Sequence, residues 1–207
     1  MATPWEDPIK NRGTLSVFAG ASITGGAWAT VFASAITEFN RLSKAGSFGV
    51  TLVTSSTPPD PQNSSGADVQ FESGNGNVTF TSFGQKISVS INGKSTVGNT
   101  QQVKIVFGTT QKISKAFVVV PSTPQTDSTP QRLVGPGVML FIAVHELIHV
   151  AGLSNSDHNS DDLFAGFPQL RTGSKPADDT VEVNNQKRMP PLSLTDKTNK
   201  LIQANWS

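Results

Sequence analysis

The chain contains no cysteine and no tyrosine, and only three of its 207 residues are histidine. Without cysteine there is no disulfide scaffold, no thiolate ligand for zinc and no thiol nucleophile. An excess of charge is missing too: sixteen basic residues against fifteen acidic ones leave a formal charge of +1. With no Lys/Arg cluster there is no electrostatic footprint for nucleic acid or for a membrane surface, and neither is expected as a partner. Long apolar runs are absent. The longest, Val138 to Val144, is far too short to span a bilayer. Residues Met1 to Pro8 have neither a basic n-region nor an apolar h-region. The expectation is a cytoplasmic chain, or one whose targeting segment has been removed.

A chain of this length supports one domain with a real hydrophobic core, and no repeat or polar linker divides it. Residues 1–12, with two prolines and mixed charge, read as an irregular N-terminal arm. Thr14 to Ala19 reads as a strand. Trp28, Val31, Phe32, Ala35, Ile36, Phe39 and Leu42 then follow the spacing of an amphipathic helix, which Gly46 ends. Val50 to Thr54 and Ala67 to Phe71 are short strands on either side of a proline-rich loop. From Val78 to Val120 the pattern is strand-like throughout, with alternation at Ile87, Val89 and Ile91 and a hairpin signal at Asn92-Gly93. Val103 to Phe107 and Ala116 to Val120 are further strands, the second apolar throughout and therefore inner. Val138 to Ala151 is a long apolar helix, Asp157 to Arg188 reads as mostly irregular, and a helix N-capped by Thr195 runs to Trp206. The order implies an α+β fold built on a mixed sheet.

All three histidines fall in one window. In His145-Glu146-Leu147-Ile148-His149 the two histidines lie one turn apart on one helix face, so both imidazoles can bind one ion. Glu146 is rotated about 100° around the helix from the first of them. It can touch a water beside the ion without being a ligand. The neighbouring residues are apolar, and two imidazoles and a carboxylate inside a core need compensation that a metal supplies. Catalytic zinc usually has three protein ligands, and His158, just past Gly152, is the candidate third. Asp157, Asp161, Asp162 and Glu182 are its rivals. Asp157, Asp161 and Asp162 could alternatively hold a structural calcium, although their spacing is not that of an EF-hand.

These residues carry a resemblance. His145 to Leu153 followed by Asp157-His158 resembles the extended zinc motif of the metzincin metallopeptidases, matrixins in particular, with Ser154, Asn155 and Ser156 inserted before the third histidine. Met189-Pro190-Pro191 is similar to the methionine turn that those enzymes carry beneath the zinc. Met1 and Met139 are the only other methionines, so Met189 is the candidate for it. The Trp28 helix, the strand through Gly66 to Phe71 and the closing helix also lie where a matrixin domain would have them, whereas Gln85 to Phe107 has no counterpart. The resemblance implies a metzincin-like mixed twisted sheet with a zinc-binding active-site helix and a C-terminal helix, all within a single catalytic domain. It favours a secreted or extracytoplasmic location. It further implies an extended peptide or protein substrate paired with an edge strand, either Val103 to Phe107 or Ala116 to Val120, and a specificity pocket near Pro190 to Leu192.

The chemistry expected is a zinc-dependent endopeptidase: Zn2+ on His145, His149 and His158, with Glu146 taking the proton of the attacking water. The missing tyrosine excludes the zinc-tyrosine of astacin-like enzymes. Together with the lack of a spare histidine, it also excludes the oxyanion support of thermolysin-like ones. Two other readings stay open: a non-catalytic metal-binding or protein-interaction module on the same fold, and a metal-dependent hydrolase of something other than peptide.

Overall fold

Strand β1 (Thr14–Ala19) lies between two parallel neighbours, β2 (Thr51–Ser55) and β3 (Val69–Gly74). The sheet continues through β7 (Thr110–Pro121), parallel to β3, and closes with β6 (Asn99–Phe107), which runs antiparallel to β7 at the edge. The structure, a computed structural model, describes residues 2–92, 97–127, 131–159 and 163–207. Parallel neighbours need a crossover, and α3 (Ala29–Gly46), preceded by the one-turn helix α2 (Ala21–Thr24), supplies the one between β1 and β2. It buries Val31, Phe32, Ala35, Ile36, Phe39 and Leu42, the stripe that the sequence predicts. Two helices that follow later in the chain, α4 (Pro136–Val150) and α5 (Asp196–Trp206), complete the mixed α+β architecture. Thr195 caps α5 as expected, its hydroxyl accepting from the Thr198 amide.

β7 explains why one stretch of sequence is apolar at every position. Ala116, Val118 and Val120 face the core built with α3 and α4. Phe117 and Val119 face the other way, into a second core formed with Phe80, Val89 and Ile91. That second layer is the hairpin of β4 (Gly76–Ser82) and β5 (Gln85–Ile91), whose Phe80 ring stacks on Phe117 at 4.4 Å. The hairpin turns at Phe83-Gly84, both with positive φ, as a two-residue type I′ turn requires. Gly93 of the expected Asn92-Gly93 turn lies outside the described residues.

One expectation is corrected and another is refined. Residues 1–12 are not an irregular arm: α1 (Asp7–Arg12) is a short helix with Pro8 in its first turn, and Trp5 is 1% exposed. Six residues are too few for a 3.6-residue repeat to show in sequence. Asp157 to Arg188 is mostly irregular among its described residues, as expected, but it also holds regular structure that the sequence does not show. Three short strands, β8 (Gln169–Arg171), β9 (Thr180–Val183) and β10 (Gln186–Arg188), form an antiparallel sheet in the order β10-β9-β8. Strands of three or four residues hold too few positions for alternation to be legible.

The C-terminal end of α4 is closed from three directions. A helix end leaves carbonyls without intrahelical partners. Here the Trp5 indole donates to Val150 O (2.8 Å), Gln102 Nε2 to His149 O (2.8 Å) and the Trp206 indole to Ala151 O (3.0 Å). Gly152 follows at φ 107°, where a Cβ would lie 2.6 Å from Thr3 O and 2.7 Å from Asn205 Nδ2. Both ends of the described chain therefore converge on the end of one helix. Among the described residues no helix is long and apolar enough to cross a membrane.

Candidate metal centre

Helix α4 is apolar all round and buried from Phe141 to Val150, the pattern of a helix inside a core. His145, Glu146 and His149 are only 7%, 3% and 6% exposed, so each needs a partner within the protein. The histidines find theirs on Nδ1: His145 Nδ1 lies 2.9 Å from Leu163 O, and His149 Nδ1 lies 3.0 Å from Leu153 O. A carbonyl can only accept, so this partner assigns the proton to Nδ1 and leaves a lone pair on Nε2. Burial enforces the neutral ring. It pushes the His145 pKa down to about 4, against the opposing hydrogen bond to Leu163, and holds His149 well below its ordinary value, with His145 adding to the effect. Fixed tautomers with backbone partners are what metal-ligating histidines show.

The third histidine arrives through Ser154 to Asp157. Asn155–Asp157 form one turn of 3-10 helix, opened by a capping box in which Ser154 and Asp157 satisfy each other's backbone amides. His158 follows directly, its Nε2 3.1 Å from His149 Nε2. Two nitrogens on one tetrahedral zinc at 2.0–2.1 Å would stand about 3.3 Å apart. The three rings form a nearly equilateral set, with centroids 5.1, 5.1 and 5.0 Å apart. Their ligand atoms all lie within 4.8 Å of one another, and the cluster can hold a metal ion.

Glu146 enters the same pocket. The Thr100 hydroxyl donates to Glu146 Oε2 at 2.6 Å. A Cβ at Gly98 would lie 2.6 Å from Glu146 Cγ and closer still to Oε1, so glycine alone lets the backbone lie against this carboxylate. Burial raises the Glu146 pKa to about 7, and the Thr100 hydrogen bond opposes that rise. The pocket, about 300 Å³, is lined by Val97 to Thr100, by the three histidines and Glu146, by Asn155, and by Ala165, Phe167 and Pro168. The chain matches no protein-family model and no curated protein sequence.

The rival ligands are engaged elsewhere or lie beyond description. Asp157 Oδ2 accepts from the Ser154 amide (2.9 Å) and hydroxyl (2.7 Å). Glu182 pairs with Arg171 at 2.6 Å. Asp161 and Asp162, and with them most of the calcium reading, lie outside the described residues. Met189 departs from expectation. It is 53% exposed, whereas a methionine beneath the metal would be covered. The residue packed against the histidines is Phe164, fully buried, with its ring centroid 5.2, 4.7 and 4.6 Å from those of His145, His149 and His158. Pro190 to Leu192 do not line the pocket; Leu192 is buried in the main core. Gly98, Thr100 and Phe164 were missed from sequence. Only their place in three dimensions marks them, since a threonine in a strand or a phenylalanine in a loop carries no pattern.

Proposed function

We propose that this chain is a zinc-dependent endopeptidase of metzincin-like, matrixin-related design. The observation that carries the reading is the triad itself: three imidazoles with a ligand nitrogen each within 4.8 Å of the others, and a buried carboxylate beside them in the same pocket. A donor set of three neutral nitrogens, without thiolate or carboxylate, suits tetrahedral zinc with its fourth position free. Zinc, when bound, supplies a Lewis acid that polarises the substrate carbonyl and eases ionisation of water.

The protein's own residues do the rest. Glu146 accepts the proton of the attacking water and delivers it to the leaving amine. Thr100 holds one of its oxygens, leaving the other to do so. The outer edge of β6 is available to an extended peptide by strand addition. β7, with Ala116 to Val120, is paired on both sides and is not. Of the two strands that the resemblance allows, the topology therefore favours the one through Val103 to Phe107. Beside it runs a groove lined by Thr100, Gln101, Gln102 and Lys104 from β6 and by Leu153 to Ser156 opposite. The inserted Ser154 to Ser156 thus do double duty: they bring His158 round and form one wall. The mixed sheet and the two late helices also fit the resemblance, while the exposed Met189 is where this chain departs from it.

The test combines metal and turnover. Wild type is expected to hold one zinc and to cleave a denatured protein, with cleavage stopped by a chelator and restored by zinc. Glu146→Gln is expected to keep the zinc and lose cleavage, and His158→Ala to lose the metal. Wild type that holds one zinc and cleaves no protein or peptide would sink the peptidase reading and leave a metal-binding module.

A further inference from the structure

We propose that Phe167 sets the specificity of the metal pocket, its ring receiving an apolar side chain next to the peptide bond that is cut. The inference rests on the peptidase reading and adds to it a substrate preference and the residue responsible.

Phe167 is fully exposed, and its backbone lies at φ 60°. Either feature alone is unusual. An aromatic ring left wholly in water forgoes the burial that makes it useful, and the left-handed region disfavours any residue with a Cβ. Neither is the slack of a wandering loop, because the chain is anchored on both sides. Three residues earlier, Phe164 packs on all three histidine rings, and its carbonyl accepts from the Asn159 amide at 2.8 Å. Three residues later, Leu170 is 1% exposed, with its amide donating to Asp127 Oδ2 at 2.9 Å. The backbone at Phe167 is thus anchored on both sides, within reach of the candidate metal site and in a disfavoured conformation. Strain of this kind persists where it serves a bound state.

Its surroundings say what that state contains. Phe167 lines the metal pocket beside Val97 and Pro168, the partly exposed apolar members of a lining that Asn99 and Asn155 share, while the histidines and Glu146 of the same pocket are the more buried polar members. It also borders an adjoining hollow of about 280 Å³ formed with Gln169, Glu182, Asn184 and Asn185. A ligand with a polar reacting group at the buried polar members and an apolar side chain at the exposed apolar ones satisfies both. The segment after Met189 contributes nothing to this lining.

The test uses paired peptides that differ only in Leu or Ser on either side of the cleaved bond, with wild type, Phe167→Ala and Phe167→Gly. Wild type is expected to prefer Leu. In both variants the Leu-to-Ser ratio of kcat/KM should fall by about tenfold, mainly through KM for the Leu peptide, with zinc content as in wild type. Phe167→Gly should also melt at a higher temperature than wild type, because glycine is at ease at this φ. A Leu-to-Ser ratio unchanged from wild type would overturn the assignment, as would a glycine variant that melts lower. If wild type cleaves neither peptide nor any denatured protein, the peptidase reading fails and this inference goes with it. Cleavage with an unchanged ratio defeats the role of Phe167 alone.

Discussion

Glu146 owes its position to residues far away in the chain. Thr100 binds its Oε2, and the bare backbone of Gly98 occupies the space against its side chain. A methyl group at position 98 has no room unless the carboxylate swings away. Gly98→Ala is therefore expected to leave zinc content and melting nearly unchanged and to lower kcat about a hundredfold, the scale of a 1 Å misplacement of a reacting group. A variant with wild-type turnover would show that Glu146 can act from elsewhere. The helix spacing made the grouping of His145, Glu146 and His149 legible in the sequence, because placing side chains on one helix needs only a local rule. The groups that aim the carboxylate were not legible, since they come from a strand with no pattern of its own. Met189 failed for the opposite reason: a motif match assigned it a buried place that the packing gives to Phe164.

At the scale of elements, α4 packs in the core along its length and is tied at its C-terminal end by indoles from each end of the described chain. Trp5→Phe keeps most of the ring and removes the donor to Val150 O. An acceptor left unsatisfied in a buried setting costs about 1–3 kcal/mol, and denaturant unfolding of the zinc-free protein should show a loss in that range. A loss below about 0.5 kcal/mol would mean that the carbonyl finds another donor, and that this end of α4 is less closed than the contacts imply. α3 and β1 were readable because their apolar positions repeat with the period of the element, and α4 and the inner part of β7 because their runs are apolar almost without a break. The helix α1 and the strands β8 to β10 were not, for they draw their stability from tertiary contacts rather than from any repeat. Trp5, read as part of an irregular arm, is the plainest case: its burial depends on Val150, 145 residues away.

For the whole molecule, placing His145, Glu146 and His149 in the core couples folding to pH. In the zinc-free protein, His145 and His149 have folded pKa values below the unfolded 6.5. Their contribution to stability is complete above pH 6.5 and is lost as the pH falls below it. Glu146 works in the other direction. Its folded pKa of about 7 exceeds the unfolded 4.5, so its contribution is complete below pH 4.5 and disappears as the pH rises through 7. Between pH 4.5 and 6.5 the unfolded chain binds two protons on the histidines where the folded chain binds one on Glu146. Stability should therefore fall by about 1.4 kcal/mol per pH unit of acidification. Glu146→Gln removes the opposing group and should about double that slope in urea titrations of chelated protein across this window. Equal slopes for the two proteins would mean that Glu146 is ionised when folded, and that the pocket is wetter than its burial indicates. Zinc added at pH 7 should raise the midpoint in both, because the neutral Nε2 atoms that burial enforces are the form a metal binds.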